Sequence, residues 1–212
     1  MAAAVAILAG CVASPVPDAP VPDVPVPSGS AVPSGGAYEV VPEPGRTIPA
    51  TPTPAALDGY RIAVVIERDD APGAAALLDA ARGFAADSGA ALSAFVAPTP
   101  DVDGVASALE RAIADDPDLV VGLGAGVVDL FSFETAQRLD RQFLLVGAQL
   151  AEPTDNVTAV IWDGATSRGS AASPDGEIDD ARVPESVGEA ALAAGVASIR
   201  DGVTGVVLHL QR

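Results

Sequence analysis

Residues 60–89 read YRIAVVIERDDAPGAAALLDAARGFAADSG, and this stretch decides the fold. A β-branched run from Arg61 to Ile66 predicts a buried strand. Asp70-Ala71-Pro72 then starts an alanine-rich segment in which Leu77, Leu78, Ala81, Phe84 and Ala85 fall on one helical face. Gly89 follows as a left-handed cap. The same unit recurs downstream. Further strands are expected at Leu92 to Val96, Leu119 to Gly122, Phe143 to Val146, Val157 to Ile161 and Gly205 to Leu210. A second helix is capped by Asp101, carries Val102, Val105, Leu109, Ala112 and Ile113 at helical spacing, and ends at Asp116-Pro117. A third carries Val127, Leu130, Phe131 and Leu139. A last one follows Pro184, with Ser186 and Glu189 at the spacing of a capping box. Short apolar strands alternating with amphipathic helices predict an α/β fold: a single doubly wound, Rossmann-like parallel sheet of five or six strands with flanking helices. The Phe143 and Val157 strands are separated by about ten residues that include Pro153, which leaves little room for a crossover helix.

Upstream of Tyr60 the composition is different. Of the 19 prolines, 12 lie between Pro15 and Pro54. Proline at every second or third position removes backbone donors and favours polyproline II, so residues 12–57 read as a disordered tether and 58–212 as one globular domain. Residues 1–11, MAAAVAILAGC, read as the end of a signal peptide. Leu8-Ala9-Gly10-Cys11 is similar to the lipobox of bacterial lipoproteins. That resemblance implies a diacylglycerol anchor on Cys11 and display on the extracytoplasmic face of the cell membrane. The ten apolar residues before Cys11 are too few to span a bilayer. Cys11 is the only cysteine, which excludes an intrachain disulfide.

The formal net charge of −18 opposes binding to nucleic acid or to anionic lipid surfaces. All 11 basic residues are arginine. No catalytic constellation is visible: G-x-S-x-G is missing, and the single histidine, His209, sits inside the last apolar strand. The expectation is a protein that is not an enzyme and carries no cofactor or metal.

The stretches PDLVVGLGAGVVDLFSFETAQ, residues 117–137, and QFLLVGAQLAEPTDNVTAVIWDGATSRG, residues 142–169, carry a likeness. With the β-α-β-α-β-α-β-β order, they resemble the N-terminal lobe of type 1 periplasmic binding proteins, and most nearly the basic membrane protein family. The resemblance implies a substrate-binding lipoprotein of an ABC-type uptake system, with a nucleoside or sugar as solute and a permease as partner. It extends over one lobe only, since 44 residues follow Arg168. The family's clamp between two lobes is therefore not carried over, and a cell-envelope interaction domain without a small ligand stays open beside it.

In open parallel sheets, solutes collect at the carboxyl ends of the strands. The candidate ligand-binding residues there are Glu67, Asp69, Asp70, Gly124, Gln149, Trp162, Asp163 and Arg168. The three acids suit a divalent cation or sugar hydroxyls, or form a solvated loop in which Asp70 caps the next helix. Gly122-Leu123-Gly124-Ala125-Gly126 reads as a tight strand-to-helix turn whose free amides can contact an anion. Trp162 suits stacking on a base or sugar ring, or packing inside the core. Arg168 suits a carboxylate or phosphate, or a neighbouring acid. Asn156-Val157-Thr158 matches a glycosylation acceptor pattern, and the acidic run from Asp175 to Glu189 reads as a solvated loop.

Overall fold

A computed structural model describes residues 44–169 and 183–211. Cys11, most of the tether and the acidic run through residue 182 lie outside the described residues. The elements, in chain order, are β1 (Thr47–Ala50), β2 (Arg61–Ile66), α1 (Pro72–Ser88), β3 (Ala91–Val96), α2 (Val102–Ala114), β4 (Leu119–Leu123), α3 (Val128–Glu134), β5 (Phe143–Val146), β6 (Val157–Ile161), α4 (Glu185–Arg200) and β7 (Val207–Leu210). The strands form one sheet in the order β1-β7-β6-β5-β4-β2-β3, with every pair parallel.

Six of the seven strands stand where the apolar runs place them. The seventh, β1, does not: it lies in the stretch assigned to the tether, so the sheet begins at Thr47 rather than after Asp58. Pro49 conceals it. The amide of Val207 donates to Arg46 O at 3.0 Å, so alternate residues of β1 turn towards β7 and Pro49 turns its missing N–H to the open edge.

Successive side chains of each strand enter opposite layers. Ile62, Val64, Ile66, Leu119, Val121, Leu123, Leu144, Val146 and Val160 pack under α1 and α4. Ala63, Val65, Val120, Phe143, Leu145, Val157 and Ala159 pack under α2 and α3. Both faces are covered, so the central strands read as continuous apolar runs rather than alternating ones. On the second face Phe131 meets Phe143 edge to face, with ring centroids 5.9 Å apart.

The local signals for α1 and α2 hold. Gly89 closes α1 at φ 79°, its amide bonded to Ala85 O at 3.0 Å. Asp101 caps α2 by accepting from the Gly104 amide at 2.7 Å. That bond, then one from the Thr99 hydroxyl, holds the Asp101 carboxyl below its usual range. Two other signals fail. Asp70 does not cap α1, whose N-cap is Ala71 with no side-chain bond. Ser186 lies inside the first turn of α4, after Pro184, and makes no capping box. The third helix ends at Glu134, a single 3-10 turn follows, and Leu139 stands 64% exposed.

The connection from β5 to β6 contains no helix. It is held instead by Asn156, only 3% exposed, whose amide nitrogen donates to Thr135 O, Arg138 O and Arg141 O at 3.0 to 3.1 Å. The Thr154 hydroxyl donates to its Oδ1 at 2.6 Å. A residue so enclosed presents no amide to a glycosylating enzyme, and the acceptor pattern at Asn156 is a structural asparagine.

Candidate functional site

The strand order reverses beside β2. From β2 the chain crosses through α1 to β3 on one side, then returns through α2 to β4 on the other. The segments leaving β2 and β4 therefore diverge towards opposite faces of the sheet, and a crevice opens between them. It has a volume of about 150 Å³. Its floor is apolar, made by the ends of both strands, Ile66 and Leu123, and by Ala71, Ala74 and Leu77 of the first crossover. Its rim is Glu67 and Arg68 on one side and Gly124 to Gly126 on the other.

Local structure explains the rim. Gly124 leaves β4 at φ 75° and ψ −173°, a conformation that glycine adopts without a Cβ clash, and its amide donates to Val146 O at 2.9 Å. One 3-10 turn, Ala125–Val127, then leads into α3. The glycine run is thus the tight strand-to-helix turn. It offers no open anion seat, because the Glu67 side chain lies against Gly126: a methyl built on that glycine would fall 2.6 Å from Glu67 Cδ and 2.7 Å from its Cβ. The protein's own carboxylate occupies the place.

Arg68 is forked onto Asp70, Nε to Oδ1 at 2.6 Å and a terminal nitrogen to Oδ2 at 2.9 Å. This bidentate bond holds the Asp70 carboxyl below its usual range and raises Arg68. Asp69 is exposed beside them. Among the described residues no three His, Cys, Asp or Glu side chains are placed to hold a metal, and Glu67, Asp69 and Asp70 do not converge on one point.

The remaining candidates are dispersed. Trp162 is wholly buried, in the layer under α1 and α4. An indole with no exposed surface offers no face for stacking, so its reading as a ligand platform is corrected to packing. Gln149 is 5% exposed and is used internally: its side chain donates to Thr166 O at 3.1 Å, and its amide to Ser167 O at 2.8 Å. Asp163 is exposed at the end of β6, with Oδ1 3.6 Å from His209 Nε2. Arg168 borders a separate hollow of about 240 Å³ with Val128, Asp129, Ser132, Ala151 and Glu152. Glu67 and Gly124 therefore meet in the crevice, Asp69 and Asp70 flank it, and the other four stand elsewhere.

Sequence reasoning missed Gly126 as the seat of Glu67, and Ala71, Ala74 and Leu77 as the floor. Gly126 was visible as a turn glycine. Nothing in the chain announces that Glu67, far from it in sequence, folds onto it.

No protein-family model matches the chain, and no curated protein matches it. Solved structures of similar fold include ABC-transporter solute-binding proteins. One, from Aeropyrum pernix K1, has a TM-score of 0.42 at 16% identity, covering 50% of this chain and 29% of that one. Another, from Conexibacter woesei DSM 14684, has a TM-score of 0.41 at 21% identity, covering 49% and 35%. A fragment named as a lipoprotein, from Peptoclostridium difficile 630, has a TM-score of 0.46 at 10% identity, covering 67% of this chain and 98% of that one. The chain thus spans about a third of the length of each of these two solute-binding proteins.

Proposed function

We propose that this protein is an extracytoplasmic lobe, anchored to the membrane by a lipid on Cys11, that holds a small solute in the crevice between β2 and β4. The observation that carries the reading is the crevice itself. It opens at the switch point of a doubly wound sheet and has an apolar floor and a polar rim containing Glu67 and Gly124. The role is binding in the service of an ABC-type uptake system, within the class of basic membrane protein lipoproteins that the sequence resembles. Nucleosides and sugars are the solutes that resemblance implies.

Two experiments test the two halves. Palmitate labelling and membrane fractionation should find the wild-type chain in the membrane and a Cys11→Ser variant released from it. A soluble wild-type chain overturns the anchor. Thermal shift against nucleosides and sugars tests binding, because a solute at 100 times its Kd stabilises the folded state by about 2.7 kcal/mol. A flat response across the panel favours the second reading, a cell-envelope interaction domain.

A further inference from the structure

The crevice between β2 and β4 holds the charges of Glu67 and Arg68, and among the described residues only Arg68 is paired. Arg68 is engaged by both oxygens of Asp70. Glu67 makes no hydrogen bond or ion pair with any described residue, although its charge adds a weaker through-space effect to the raised Arg68. Glu67 is half-buried as a residue, its side chain lies against Gly126, where any larger residue would displace it, and it borders the apolar floor of Ile66, Leu77 and Leu123.

Resting on the solute-binding reading above, we infer that the crevice selects a small cation with a compact apolar body, an alkylammonium group, with Glu67 as the residue that recognises its charge. The geometry supplies both halves of such a solute. An ammonium on Glu67 forms a charge-assisted hydrogen bond, stronger than a neutral one. The alkyl body covers the side chains of Ala71 and Ala74, which keep exposed surface above the buried Ile66, Leu77 and Leu123. Carboxylates and phosphates are opposed twice, by Glu67 at the seat and by the field of a chain with net charge −18, which also draws cations towards it.

The test uses the full chain, with butylammonium against the near-isosteric butanol and butyrate, and adenosine and ribose alongside. Binding is read from the amide shifts of Gly124 and Gly126. Butylammonium should bind about tenfold or more tightly than butanol, with an affinity that falls as salt rises, and butyrate should not bind. Glu67→Gln, with an unchanged melting temperature, should erase the preference for butylammonium over butanol. Gly126→Val should abolish occupancy of the crevice. Equal binding of butanol and butylammonium, or a preference that survives Glu67→Gln, overturns the inference. If adenosine or ribose binds, and Gly126→Val but not Glu67→Gln abolishes it, the crevice reading stands and the cation inference falls. If no probe binds, both fall.

Discussion

Thr158 gives the sharpest test of the packing described here. Its side chain is wholly buried on β6, on the same face of the strand as Val160 and Trp162, and its hydroxyl has no hydrogen-bond partner among the described residues. A buried hydroxyl without a partner loses its water and gains nothing in return, a penalty of about 1–3 kcal/mol. Valine keeps the branched shape and replaces the hydroxyl with a methyl, so Thr158→Val should stabilise the fold by about 1–2 kcal/mol, or roughly 2–8 °C in Tm for a domain of this size. Thr158→Ser keeps the unpaired hydroxyl and deletes the methyl, and should cost about 1 kcal/mol. Circular-dichroism melts and urea midpoints at matched slope read both variants. If Thr158→Val melts at or below the wild type, the hydroxyl has a partner and the reasoning is wrong.

Other outcomes follow from single residues. Trp162, the only tryptophan, should emit at short wavelength, resist acrylamide quenching and ignore every solute in the binding panel, while Trp162→Ala should cost about 3–5 kcal/mol. Solute-dependent quenching would return it to the site. Asn156→Ala should cost at least about 2 kcal/mol in urea denaturation, and Asn156→Asp should do no better, because a carboxylate cannot donate to the carbonyls of Thr135, Arg138 and Arg141. Asp101→Ala should lower Tm at neutral pH, whereas Asp101→Asn, an equivalent cap, should not. The folded-state pKa of Asp101 is depressed, so its contribution is present above the unfolded value of about 3.9 and is lost as pH falls through the folded value. The gap between wild type and Asp101→Ala, followed by thermal melts, should therefore close in acid. The Tyr60 phenol should titrate above free tyrosine in ultraviolet absorbance, raised first by burial and then by the charge of Asp118.

The sequence by itself determined the layer plan, because that information is local. Apolar runs at β2, β3, β4, β5, β6 and β7, the helical stripe of Leu77, Leu78, Ala81 and Phe84, the Gly89 cap and the Asp101 cap each depend on residues a few positions apart. Where strand and helix alternate in this way, a parallel sheet with helices on both faces is the arrangement that buries them. The tertiary structure decided what depends on distant partners. Thr47–Ala50 became a strand only because β7 offered an edge to it, against the local signal of Pro49. Trp162 and Gln149, which end apolar strands as ligand residues do, went inward because the loop from Trp162 to Ser167 folds back over them. Asp70 left the helix end for Arg68, whose fork binds both carboxylate oxygens where a cap uses one. The crevice itself is the product of strand order, which brings Glu67 onto Gly126. Side-chain pairing across the switch point follows from which strands lie side by side, and no spacing within the chain encodes that.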